Sequence, residues 1–152
     1  MEDSLDRSSR TQATNEVGAL PEVLMNIATH DGRAQPCRII YSAGAEMTLT
    51  ANSSVFGELS FTGTNLFDAL IKLRLHLEKI GYFLLCNAAR KDTYPSRAIK
   101  QMGGGFKVYV LRSGQQASPA DLVDALGPAN LDQIATVDEQ RASYERWLRS
   151  LR

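Results

Sequence analysis

Leu66, Leu70, Leu73, Leu77 and Ile80 recur in alternating steps of four and three residues, the spacing that lines side chains along one stripe of an α-helix. A helix with a single apolar stripe has to bury it against another layer, so this segment constrains everything around it. Its ends are marked in the sequence. Asn65 with Asp68 three residues on has the form of a capping box, and Gly81 supplies a residue free to adopt the left-handed conformation past the C-terminus. Asp68, Lys72, His76 and Lys79 fall on the opposite, solvated face.

β-patterned sequence on both sides supplies the layer this helix needs. Upstream, Cys37 to Ser42, Glu46 to Ala51 and Gly57 to Thr62 read as an antiparallel meander. Met47, Leu49, Leu59 and Phe61 point inward, and Thr48, Thr50, Glu58 and Ser60 outward. Downstream, Tyr82 to Ala88 is nearly continuously apolar, as expected of a central strand covered on both faces, and Phe106 to Arg112 alternates as a further strand. Outside the segment between these two downstream strands, three more helices are expected. Pro21 suits a first helical position, Val23, Leu24 and Ile27 form a stripe, and Asp31-Gly32 ends the segment. Ser118-Pro119-Ala120-Asp121 opens a second, stopped by Gly127-Pro128. Thr136-Val137-Asp138-Glu139 opens the last, burying Val137, Tyr144, Trp147, Leu148 and Leu151. The expected fold class is α+β: a mainly antiparallel sheet of about five strands, helices packed largely on one face, and helices at the C-terminus.

At 152 residues and 43% hydrophobic content, the chain suits one core, a single domain over residues 16–152. Met1 to Asn15 lacks periodic apolar positions and is expected to be a disordered tail. Seventeen basic residues balance seventeen acidic ones, so no global field draws the chain to nucleic acid or to a membrane. The charged start does not fit a signal peptide, and no run approaches the roughly 18 to 20 apolar residues of a membrane span. A cytoplasmic protein without a membrane partner is the expectation. Cys37 and Cys86 lie in apolar, strand-like sequence without clustered metal ligands, and read as buried free thiols. No metal and no cofactor is expected.

Between the two downstream strands lies Asn87 to Gly105, too polar and basic for a plain connection. From Cys86 to Arg112 the cations Arg90, Lys91, Arg97, Lys100, Lys107 and Arg112 face one acid, Asp92. Tyr94-Pro95 disfavours helix, Ser96 can then cap a short helix through Met102, and Gly103-Gly104-Gly105 ends it. Those glycines follow a helix and lead into a strand, the reverse of a phosphate-cradling loop, so they read as a helix stop that also permits close backbone approach. Arg90 and Arg97 flank the helix start, an arrangement that favours a phosphate or a partner's carboxylate. The alternative is that Asp92 pairs with a neighbouring cation while the other charges are solvated.

The candidate binding residues are Arg90, Asp92, Tyr94, Ser96, Arg97, Lys100 and Gln101. No catalytic residue is assigned. Cys86 or Ser96 would need His30 or His76 as base, yet His76 falls on a solvated helix face and His30 in a turn. The pairs Asp121 with Asp124 and Asp138 with Glu139 sit at helix starts, where capping accounts for them. Tyr94 and Tyr109 near cations could stack on bases, but zero net charge and the lack of a binding motif weigh against nucleic acid.

The run CNAARKDTYPSRAIKQMGGGFKVYVL and the later TVDEQRASYERWLRSL resemble a group of small bacterial proteins with Ala-Arg-x-Asp-x-Tyr-Pro-Ser and Gln-Met-Gly-Gly-Gly segments. The resemblance extends from about Gly57 onward and transfers no catalytic residue, because no enzymatic activity is established for the group. In size and general profile the chain is also similar to immunity proteins of polymorphic toxin and contact-dependent growth inhibition systems. That similarity implies a non-enzymatic protein that binds and neutralises a cognate bacterial toxin. Many immunity proteins against nucleases are acidic, whereas this chain is neutral with a basic patch, a departure that argues against nucleic-acid mimicry. The alternative is a small ligand-binding or transferase-like enzyme holding a phosphate or carboxylate with Arg90, Ser96, Arg97 and Lys100. Pocket shape separates the two, a deep pocket favouring the enzyme.

Overall fold

The computed structural model describes residues 20–152; the expected tail lies outside them. In chain order the elements are β1 (Glu22–Thr29), β2 (Ala34–Ala43), β3 (Met47–Ser53), β4 (Gly57–Gly63), α1 (Leu66–Lys79) and β5 (Tyr82–Leu84). After a 3₁₀ turn at Asn87–Ala89 come β6 (Thr93–Tyr94), α2 (Arg97–Met102), β7 (Lys107–Val110), β8 (Leu122–Asp124) and α3 (Val137–Ser150). Five strands form an antiparallel sheet in the order β4-β3-β2-β1-β5, and β6-β7-β8 form a second, smaller antiparallel sheet. The fold is α+β, as the sequence patterning predicts.

The expected antiparallel meander forms, with Leu49 opposite Phe61 and Thr50 opposite Ser60. Its inner face buries Ile39, Met47, Leu49 and Ala51 against Leu66, Leu70, Leu73 and Leu77 of α1. Each of the larger of these side chains contributes about 1.5 to 3 kcal/mol by leaving water, so the leucine stripe is what joins helix to sheet. Asn65 caps α1 by accepting from the Asp68 amide at 2.9 Å, and Gly81 follows at φ 84°. Ile80, expected in the stripe, is instead 43% exposed, because it is the helix's C-terminal cap and the chain has begun to turn away.

Four expectations are corrected. The segment from Pro21 is a strand, β1, and not a helix. Met25 and Ile27 point inward while Leu24, assigned to a helical stripe, is 71% exposed; pairing with β2 on one side and β5 on the other overrides the local pattern. Asp31-Gly32 makes the hairpin turn, with Gly32 at φ 94°. The apolar run from Tyr82 gives only a three-residue strand at the sheet edge. Cys86, Ala88 and Ala89 are buried instead in irregular backbone, where Asn87 and Ala88 amides donate to Gly127 and Ala125 carbonyls at 2.8 and 2.9 Å.

The strand around Val108 belongs to the second sheet, so β1 takes the fifth place in the first. The helix expected from Ser118 is one 3₁₀ turn, Pro119–Asp121, leading into β8. Its capping box forms, but Leu122 and Val123 then pair with Tyr109 and Val108, which leaves too few residues before Gly127-Pro128 for a helix. α3 forms as expected on its Thr136–Glu139 capping box, yet its buried residue is Gln140, while Leu148 is 42% exposed. Among the described residues, no helix is long and apolar enough to cross a membrane.

Candidate recognition groove

The glycines and Ser96 place α2 against the start of α1. Ser96 Oγ accepts from the Ile99 amide at 3.1 Å and opens α2; Gly103 closes it. The Leu66 amide then donates to the Gly104 carbonyl at 2.8 Å. A Cβ on Gly105 would lie 2.6 Å from Asn65 Oδ1, so this approach requires glycine. The expected roles of the glycines, helix stop and close backbone approach, are both realised.

α3 closes the other side through a buried polar hub. Arg74, on α1 and only 3% exposed, donates from Nη1 to Gln140 Oε1 at 2.6 Å and to the Ala88 carbonyl at 3.3 Å, and from Nη2 to the Ala135 carbonyl at 3.0 Å. Gln140 Nε2 lies 2.7 to 3.0 Å from the carbonyl oxygens of Ala88, Arg90 and Thr93. The guanidinium makes no ion pair among the described residues, and burial lowers its pKa, since desolvation penalises the charged form. Glu78, one turn further along α1, accepts from the Val137 amide at 2.9 Å and so caps α3 as well.

Gln140 and Tyr144 are four residues apart on α3, hence on the same face. With Gln140 fixed, Tyr144 stacks on Tyr94 at 4.1 Å between centroids and 11° between planes. Tyr94 meets Phe67 edge-on at 5.2 Å, and Tyr144 stacks on Trp147 at 6.0 Å. A ladder of four rings thus runs from the core to the surface, each contact adding about 0.5 to 1.5 kcal/mol beyond burial. Trp147 Nε1 ends it by donating to the Gln115 carbonyl at 3.0 Å. Burial raises the Tyr94 phenol pKa.

Between α2, α3 and the start of α1 lies an open groove of about 520 Å³. Tyr94, Arg97, Lys100 and Gln101 line it on one side and Arg141, Tyr144, Glu145 and Leu148 on the other, with Asn65 and Asp68 between. Lys100 lies 3.9 Å from Asp68 and Arg141 3.5 Å from Glu145.

Of the seven residues singled out from sequence, the groove therefore gathers four. Ser96 serves as the helix cap. Arg90 and Asp92 pair with each other in a two-pronged contact at 2.8 and 2.7 Å and are not part of the groove lining; Arg90 does not join Arg97 around an anion. Arg141, Tyr144 and Glu145 were not legible as site residues, because only the docking of α3 brings them there. Arg74 left a trace: it fills the i+4 place after Leu70 in a stripe that otherwise reads Leu70, Leu73, Leu77.

No protein-family model matches the chain, and no curated protein does. The groove's own chemistry carries the functional argument. Its side chains are recognition groups: arginines, a lysine, paired tyrosine rings and two carboxylates. The cysteine thiols stand apart from it, pushed up to about 11 by burial, and so are protonated near neutral pH. Among the described residues no group of three or more His, Cys, Asp or Glu is placed to hold a metal ion.

Proposed function

We propose that this chain is a non-enzymatic protein-binding module of the immunity type, which neutralises a cognate bacterial toxin by seating part of it in the groove between α2 and α3. The observation that carries the reading is the Tyr94–Tyr144 stack set among Arg97, Lys100 and Arg141. Tyrosine and arginine are the residue types that most often carry interface energy, and ring stacking holds these in place before a partner arrives, which reduces the ordering cost of binding.

The test is capture of a partner by the full chain from a lysate of the source bacterium, with the bound protein identified by mass spectrometry. A secreted toxin domain should be retained by the wild type and lost with Arg97→Glu or Tyr144→Ala, while Arg97→Glu leaves the thermal midpoint nearly unchanged. Capture indifferent to both substitutions would remove the groove from the account.

The groove volume favours a second reading, because about 520 Å³ lies within the range of small-molecule sites. On that reading Arg97 and Lys100 hold a phosphate or carboxylate of a small ligand. A thermal-shift screen with nucleotides, sugar phosphates and CoA decides it, since a ligand of the folded state raises the midpoint. A flat response across the screen eliminates the reading.

A further inference from the structure

We infer that the groove's occupant is an acidic segment of the protein partner, in which a carboxylate engages Arg97 and an adjacent apolar side chain rests on Leu148; this inference rests on the protein-binding reading above. Charge is the first support. Among the groove's three cations Arg97 makes no ion pair and no side-chain hydrogen bond to any described residue, and it is exposed on the first turn of α2. Lys100 and Arg141 have acid neighbours, but at 3.9 Å between half-buried groups and 3.5 Å between exposed ones. Pairs of that kind contribute little, so an incoming carboxylate can draw either cation over at small cost. The lining holds three cations against two acids, and the unmatched one is Arg97.

The tyrosines narrow the chemistry. One flat face of each ring is committed to the other, and the rings are further engaged, Tyr94 by Phe67 and Tyr144 by Trp147. A nucleobase would need a free face to stack on. Both tyrosines line the groove, and neither hydroxyl has a hydrogen-bond partner among the described residues. Phenol hydroxyls and guanidinium forks are donors that suit carboxylate oxygens. Leu148, 42% exposed at the groove wall, adds the one large apolar contact.

Poly-L-glutamate is the probe, end-labelled and followed by anisotropy against the full chain, with Trp147, the only tryptophan, as a second reporter through its contact with Tyr144. Binding should weaken about tenfold with Arg97→Gln, the scale of one charge-assisted contact. It should be unchanged with Arg38→Gln, on the opposite face of the large sheet, and should fall steeply on raising salt to about 0.5 M. Absence of binding, equal binding by Arg97→Gln, or equal binding of poly-L-lysine overturns the inference. So does displacement by inorganic phosphate at equal charge concentration, which would mark a small-anion site. Partner capture that depends on Arg97 without polyglutamate binding overturns the acidic occupant and leaves the binding module standing. Polyglutamate binding at Arg97 without any Arg97-dependent capture supports the acidic specificity and overturns the protein-binding reading.

Discussion

Arg74 donates to the Gln140 side-chain oxygen at 2.6 Å across 66 residues of chain, and this contact joins the helix that fixes the core to the helix that walls the groove. The two side chains also share the Ala88 carbonyl, 3.3 Å from Arg74 Nη1 and 2.7 Å from Gln140 Nε2. Because the guanidinium is balanced by neutral oxygens among the described residues, each partner's removal has a different cost. Gln140→Leu leaves a buried charge short of an acceptor and strips the donor from three carbonyls, and should cost upward of about 3 kcal/mol. Arg74→Met removes the charge itself and leaves only neutral acceptors unpaired, about 1 to 3 kcal/mol. Urea unfolding of both and of the double variant measures this. The double variant should be well short of the sum; strict additivity would mean the two do not act as a unit.

Gly105→Ala should destabilise far more than Gly114→Ala. Both glycines have positive φ, 73° and 78°, which costs any other residue about 1 to 2 kcal/mol. Only at Gly105 would the new Cβ also meet Asn65 Oδ1 at 2.6 Å and the Phe67 amide nitrogen at 2.8 Å, whereas at Gly114 nothing lies within 4 Å. Relief of the clash means moving the cap of α1 or the α2 wall of the groove. Thermal midpoints of the two variants decide the point, and equal losses would show that the close approach is not needed.

What the sequence made legible follows from how local each cause is. Asn65, the leucine stripe and Gly81 act within one helix, so α1 could be read to within a residue. Val23, Leu24 and Ile27 suit a helix by spacing, but their state is set by Ala34 to Ile40 and Tyr82 to Leu84, which pair with β1 from a distance. The groove divides the same way. Tyr94, Arg97, Lys100 and Gln101 stood out because their charge and turn chemistry are contiguous. Arg141, Tyr144 and Glu145 sit on a helix whose docking depends on Gln140, a polar residue with no marking of its own.

Cys37 and Cys86 should resist alkylation in the native chain. Cys37 lies opposite Met25 on β1, and Cys86, just past the end of β5, bridges to Pro128; both are buried free thiols. Burial raises both to about 11. Iodoacetamide at pH 8 should leave the native chain unmodified and label both thiols in urea, as read by mass. Rapid labelling of the native protein would contradict their burial.

Mild acid should loosen α3 before the core. Glu139 accepts from the Thr136 amide at 2.9 Å, and that backbone hydrogen bond, the largest cause, holds its carboxyl below the usual value of 4.5. A depressed carboxylate contributes stability that is fully present above its unfolded value and is lost as pH falls through the folded one. The capping box at the start of α3 should therefore weaken as pH drops below about 4.5. Trp147, three turns further along α3 and stacked on Tyr144, reports this through its emission. Glu139→Gln keeps the capping geometry without the titration, so its Trp147 emission should change less over the same range. An identical acid profile in the two proteins would assign the loosening to a different carboxylate and remove Glu139 as its cause.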